Sequence, residues 1–390
     1  MAWLFAVAII VICQSFIDLE VIIPLPFKTL NIPLSDAAAC ILFPAVALKA
    51  PKSLWKPELR GFAVTALALL LGATYALKPS LSLYTWVRKP VFMMLCYGGA
   101  LVWTIQNRVS EKAMVRLLLS WQTLVAGLLF ANGVGRVLAD ETLWWQAIDG
   151  ITPNHKTLAV SLCGILPLFW AFSDRFQKHI PNRHGSRIFW AIQCLTLAAI
   201  AISFSKTAWL IVAFSVGWFV PKNRPISQRP FLIGLLGISS LWLMIQLPFI
   251  LESNAMIDAL RSRHSLNLRA WEMFSAHPFT GMGTGTNLHY ELVTFPHYRI
   301  NGIDAHGSIQ KLASEGGIFA LFGFGIFFLD GRKHLLNRNP KLLGAYWSLF
   351  LCTVLSTELL HSTWWIPYAI LMGWHTPNAE AQSSTSSTGQ

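Results

Sequence analysis

Residues Gly307 to Leu329 read GSIQKLASEGGIFALFGFGIFFL, a run that turns apolar directly behind a long polar stretch from about Glu252 to Ala305. A segment of this length suffices to cross a bilayer core, for which roughly 17–25 mostly apolar residues are needed. His306, the residue before the run, therefore stands where a membrane helix begins. A helix start exposes unpaired backbone N–H groups and partial positive charge, which favours an anionic ligand nearby.

Further apolar runs lie at 3–23, 34–50, 61–77, 90–106, 113–133, 156–173, 187–204, 207–221, 231–251, 342–360 and 362–374. With 390 residues, 54% of them hydrophobic, 12% charged and 17 Trp, the chain has more apolar surface than a soluble fold of this length hides. The expected fold class is all-α and integral to the membrane, with about 12 transmembrane helices. Helices 1–9 are expected within 1–251, a large outer loop with short helices at 252–306, helices 10–12 at 307–376, and a disordered Ser/Thr-rich tail at 377–390.

Cytoplasmic loops are enriched in Lys and Arg. The loops holding Lys52 and Arg60, Arg108 and Arg116, Arg175 and Arg187, Lys222 and Arg229, and Arg332 and Lys341 alternate as that rule requires. Both termini are then expected inside and the 252–306 loop outside. Lys78, Arg88 and Lys89 break the rule, marking either a segment on the membrane surface or a misplaced span. The first span shows no clear small-residue cleavage site and reads as a retained helix. The net charge of +12 is spread over short loops, where topogenesis accounts for it, so no nucleic-acid partner is expected. All six cysteines fall in predicted spans, which argues against a disulfide framework or a thiolate metal site.

Within the outer loop, Met256 to Leu260 and Leu268 to Ser275 predict short helices, and Pro278 with Gly281, Gly283 and Gly285 predicts a turn. No strand precedes these glycines, so they are not a dinucleotide fingerprint. His264, His277, His289 and His297 follow no metal-ligand spacing, and no metal or cofactor is expected. The chain also lacks a G-x-x-x-x-G-K-[ST] element for a nucleotide. An activated donor would then arrive in the lipid, and a lipid diphosphate carrying a glycan meets that need. Such chemistry calls for cations to hold the leaving diphosphate and a base for the attacking hydroxyl.

Candidate cations are Arg136, Lys156, Lys206, Arg261, Arg263, Arg269 and Arg299, arginine being the better fork for phosphate oxygens. The alternative for each is solvation or pairing with Glu272, Glu291 or Asp304. His306 is the candidate base, against a capping role at the helix start. Lys206 lies in the hairpin Ser203-Phe-Ser-Lys-Thr-Ala208, where it meets an anion or snorkels to the surface. Trp144, Trp145, Trp364 and Trp365 are read as an interfacial aromatic belt.

Several of these elements together resemble the O-antigen ligase and polymerase superfamily. They are Ser205-Lys206, Arg269 with Trp271 and Pro278 to Gly283, His306 with Glu315 to Gly317, and Pro153-Asn154-His155. Lys206 replaces the usual arginine, and Gly307 follows the histidine where Asn, Ser or Gln is typical. The resemblance implies a metal-independent inverting glycosyltransferase of a bacterial inner membrane, acting in lipopolysaccharide biosynthesis with its site facing the periplasm. It implies an undecaprenyl-diphosphate-linked glycan as donor and a lipid A-core sugar or a glycan as acceptor. In that reading His306 and Arg269 are catalytic, Lys206, Arg263 and Arg269 bind the diphosphate, and Arg136, His155, Lys156 and Glu315 line the cavity. A polysaccharide polymerase or an O-oligosaccharyltransferase would share this chemistry. A transporter of lipid-linked glycan is the alternative of another class, although alternating access predicts internal repeats and ionisable groups at mid-membrane.

Overall fold

A computed structural model describes residues 2–13, 20–24, 29–138, 155–180, 184–203, 205–219, 254–286, 307–338, 340–355 and 362–373. In chain order its helices are α1 (Ala2–Cys13), α2 (Leu34–Lys49), α3 (Arg60–Gly72), α4 (Pro79–Trp86), α5 (Val102–Arg108), α6 (Glu111–Leu138) and α7 (His155–Ala171). They continue as α8 (Ser173–His179), α9 (Gly185–Ile202), α10 (Lys206–Phe219), α11 (Asn254–Ala276), α12 (Ser308–Arg338), α13 (Leu343–Leu355) and α14 (Ser362–Gly373). Between α4 and α5 the chain winds as π-helix over Val87–Val91 and Met93–Leu101.

Every predicted apolar run carries helix except 231–251, which lies outside the described residues. Four helical stretches are long and apolar enough to cross a bilayer: Pro57–Tyr75, Glu111–Val134, Gly185–Ile202 and Ser308–Asn337. A fifth arises if Ala159–Ala171 and Ser173–His179, bent by 87°, count as one span. The chain is thus an α-helical membrane protein. The other described α-helices have 17 residues or fewer, except α11, whose 23 residues are too polar to count as a span. α13, with 13 residues, rises about 20 Å against a hydrocarbon core of about 30 Å.

The first predicted span, 3–23, needs correction. Helix α1 is described only as far as Cys13, and Glu20–Pro24 pairs antiparallel with Thr29–Pro33, Ile22 lying opposite Asn31. The β-branched Val21, Ile22 and Ile23 favour extended backbone, and Pro24 and Pro26 oppose a helix. The segment with Lys78, Arg88 and Lys89, which breaks the charge rule, is helical. Lys78 precedes α4, and Arg88 and Lys89 lie in the π-helical turn that continues it.

The closest helix pair is α3 with α12, and small residues make the approach possible. A β-carbon on Gly61 would lie 2.0 Å from the Phe327 backbone nitrogen, and one on Gly323 would lie 2.5 Å from that of Thr65. Between lipid tails, where apolar surface gains little by leaving one helix for another, such close backbone packing drives helix association. The Thr65 hydroxyl donates to the carbonyls of Gly61 at 3.1 Å and Ala320 at 3.2 Å, the second bond crossing between the helices. Helices α6 and α9 are joined by reciprocal amide bonds between Gln122 and Gln193, at 3.1 and 3.2 Å.

At this crossing lies an aromatic core. The Phe327 ring sits 5.5 Å from Phe62, 5.8 Å from Trp365 and 5.2 Å from Tyr368, and Trp364 stacks on Tyr368 at 5.2 Å. Trp364 and Trp365 are buried, with the Trp364 indole N–H donating to the Leu349 carbonyl at 3.2 Å. For these two the expected interfacial belt is replaced by core packing, because α14 inserts its Trp pair against α3 and α12. Trp144 and Trp145 lie outside the described residues.

Candidate functional site: a glycine turn spliced into a broken helix

The two short helices expected in the outer loop are one continuous helix, α11, which packs on α12. Past its end the predicted turn forms, with Gly281, Gly283 and Gly285 at φ of 66°, 83° and 82°. The His277 ring, at the helix end, stacks on Tyr75 at 4.3 Å.

Helix α12 breaks at Gly317, whose φ of 63° and ψ of −160° are open to glycine and not to other residues. A break releases carbonyls that have lost their partners four residues on, and the turn takes up both sides. The Met282 N–H donates to the Ser314 carbonyl at 3.0 Å and the Gly283 N–H to that of Glu315 at 2.8 Å. Their ordinary helical donors turn the other way: the Ile318 N–H binds the Pro278 carbonyl at 2.8 Å and the Phe319 N–H that of Phe279 at 3.4 Å. Four backbone bonds thus splice the turn into the helix, and the non-helical backbone is satisfied within protein, the condition for its survival in a membrane helix. The end of α3 closes the junction, since a β-carbon on Gly72 would lie 2.5 Å from both the Glu315 and Thr280 carbonyls.

The Glu315 side chain adds a fifth tie, its carboxylate accepting the Gly285 N–H at 2.9 Å. Glu315 is fully buried, so among the expected cavity-lining residues it acts as the anchor of the turn. Arg269, on α11, is also buried, with 2% of its surface exposed, and Lys311, one helical turn before Glu315 on α12, has 3%. Among the described residues these three are the buried charges, and all sit on the packed pair α11 and α12. Charge at this depth is costly unless it is compensated or used. Trp271, two residues past Arg269, is 65% exposed and near Phe274, so the motif presents its arginine inward and its tryptophan outward.

Lys311 is the residue the sequence reading passed over. Its signal was available: a lysine four residues before a glutamate, on one helix face, inside an otherwise apolar run.

The remaining predicted residues are placed less completely. His306 lies outside the described residues, one position before Gly307. The Gly307 carbonyl accepts the Lys311 N–H at 3.0 Å at the start of α12, and its φ of 142° favours glycine at this position. For Arg136, His155, Lys156, Lys206 and Arg263 the description stops at the backbone. Arg136 lies in the last turn of α6, His155 and Lys156 open α7, Lys206 opens α10, and Arg263 lies on α11 six residues before Arg269. Of the expected hairpin ahead of Lys206, Ser203 ends α9 and Ser205 precedes α10, while Phe204 lies outside the described residues. The Ser205 hydroxyl accepts the Ala208 N–H at 3.4 Å as the cap of α10, and the Ser205 N–H donates to the Ser203 hydroxyl at 3.3 Å. Helices α7 and α10 pack together and on α13, whereas the spliced turn is held by α3, α11 and α12.

No protein-family model matches the chain, and no curated protein matches it. The resemblance therefore rests on the motifs themselves, and two of them, Pro278 to Gly283 and Glu315 to Gly317, are hydrogen-bonded partners in the fold.

Proposed function

We propose that the chain is an O-antigen ligase-like glycosyltransferase, moving a glycan from an undecaprenyl-diphosphate carrier to a lipid A-core sugar at the periplasmic face of a bacterial inner membrane. One observation carries the reading: the motif arginine, Arg269, is buried on a helix packed against the helix that holds buried Lys311 and Glu315. A guanidinium fixed in a poorly hydrated setting suits a leaving diphosphate far better than the same charge in water.

In this mechanism His306 takes the proton of the acceptor hydroxyl as its oxygen attacks the anomeric carbon. The bond from that carbon to the phosphate oxygen breaks, configuration inverts, and the diphosphate departs already ionised. Arg269, with Lys206 and Arg263, holds its oxygens. No general acid is needed, because the leaving group carries its own charge.

A transporter commonly binds its cargo at the open ends of a broken helix. Here the Ile318 and Phe319 N–H groups and the Ser314 and Glu315 carbonyls at the break are bonded to the turn, which favours a positioning role for it.

The test is transfer by purified protein in EDTA, from a lipid diphosphate donor to lipid A-core, comparing wild type with His306→Ala and Arg269→Ala. Product from wild type that disappears in both variants supports the proposal. Elongation of the donor glycan instead would indicate a polymerase, and glycosylation of a protein hydroxyl an O-oligosaccharyltransferase. Movement of lipid-linked glycan across vesicles with no new glycosidic bond would replace the enzyme reading with transport.

A further inference from the structure

The six cysteines are scattered over separate runs of the sequence, but the fold brings two of them together. Cys40 lies on α2 and Cys96 in the π-helical stretch ahead of α5, and the Cys96 thiol donates a hydrogen bond to the Cys40 sulfur. A second contact holds the same two elements in register. Asp36 stands one turn before Cys40 on α2, Tyr97 follows Cys96, and the Tyr97 hydroxyl donates to the Asp36 carboxylate at 2.6 Å. Tyr97 is fully buried and its ring meets that of Phe92 edge-on at 5.8 Å, so the stretch carrying Cys96 cannot turn away from α2 without breaking that bond. The π-helix itself is rare and is found most often at functional sites.

The two sulfurs differ in access. Of the six cysteines Cys40 alone is exposed, whereas Cys96 is buried. A free cysteine belongs among the most buried residues, and its reactivity rather than its packing accounts for one that is not. An exposed thiol backed by a buried one is the arrangement of an attacking and a resolving cysteine. Cys163 and Cys352, by contrast, are both buried, and the Cys163 thiol is spent on the Ala208 carbonyl at 3.4 Å. We infer that Cys40 and Cys96 form a dithiol–disulfide redox site that exchanges with a small disulfide. Cys40, as thiolate, attacks one sulfur of that oxidant, whose S–S bond breaks and releases its first thiolate. Cys96 then loses its proton and attacks the Cys40 sulfur, which forms the Cys40–Cys96 bond and expels the second thiolate. Two protein thiols are oxidised, the oxidant is reduced to two thiols, and the two protons end on them. The new bond ties α2 covalently to the π-helical stretch, and a dithiol reverses it.

The test uses full-length protein in maltoside micelles with a lipid-soluble dipyridyl disulfide as oxidant, so that access does not depend on the depth of Cys40. Peptide mass spectrometry of oxidised wild type should find residue 40 joined to residue 96, with no pyridyl adduct left on either. Cys96→Ser should hold a pyridyl adduct on Cys40, and Cys40→Ser should leave Cys96 unmodified. A dithiol should return both thiols of wild type to alkylation. A lasting adduct on Cys40 in wild type, no reaction of Cys40, a bond from either cysteine to another, or a joined peptide that forms only in dodecyl sulfate would overturn the proposal. The joined peptide is read in wild type itself, which keeps the test decisive should Cys96→Ser fold poorly.

Discussion

The Glu315 carboxylate accepts the backbone N–H of Gly285 at 2.9 Å, joining the first residue of the Glu315-Gly316-Gly317 element to a residue thirty positions earlier. A carboxylate bound this way is a charge-assisted acceptor in a dry setting, roughly twice as strong as a neutral one. It fixes the turn that follows α11 and, through that turn, the helix carrying Arg269.

Glu315→Ala should therefore lower unfolding stability by about 1.5–3 kcal/mol, the range for a buried hydrogen bond to a charged group. Glu315→Gln keeps an acceptor oxygen and should retain much of that stability. Thermal unfolding of both variants, with hydrogen exchange over 281–286, checks the order.

Gly317→Ala should open the splice. Its φ of 63° costs any other residue about 1–2 kcal/mol, and a β-carbon would lie 2.4 Å from Phe279 backbone atoms. The expected outcome is lost protection of the Ile318 and Phe319 amides and faster proteolysis within 277–286. Protection equal to wild type would show that the four bonds do not depend on the break.

Gly323→Val places a branched side chain in the α3–α12 crossing and should cost about 1–3 kcal/mol or more. Phe322→Val, one residue earlier but 66% exposed, should stay within about 0.5 kcal/mol of wild type. Unfolding measured for the pair separates the crossing from the exposed face of the same helix.

For transfer, Arg269→Ala should lower kcat by about 10²–10³, the loss typical when one oxyanion-stabilising donor is removed. Arg269→Lys should fall between, since it keeps charge and loses the bidentate fork. Rates for the two variants at saturating donor, with folding verified by exchange over α11, distinguish charge from geometry.

Hydropathy alone determined that the chain is a helical membrane protein and where most of its helices lie, α4, α8 and α11 excepted, because apolar length against bilayer thickness is a local property of the chain. It also determined that a turn follows Pro278, since Gly281, Gly283 and Gly285 permit backbone that other residues resist. Only the tertiary structure decided which partner that turn has. The bonds from Met282 and Gly283 to Ser314 and Glu315 run between backbone groups, which every residue carries alike, so no side chain announces the pairing. The same holds for Trp364 and Trp365. A tryptophan suits an interface or a core equally well, and the choice fell to Phe62, Phe327 and Tyr368, which the fold brought against them. Arg269 was legible as a candidate from its motif, and its burial, with that of Lys311, followed from the packing of α11 on α12.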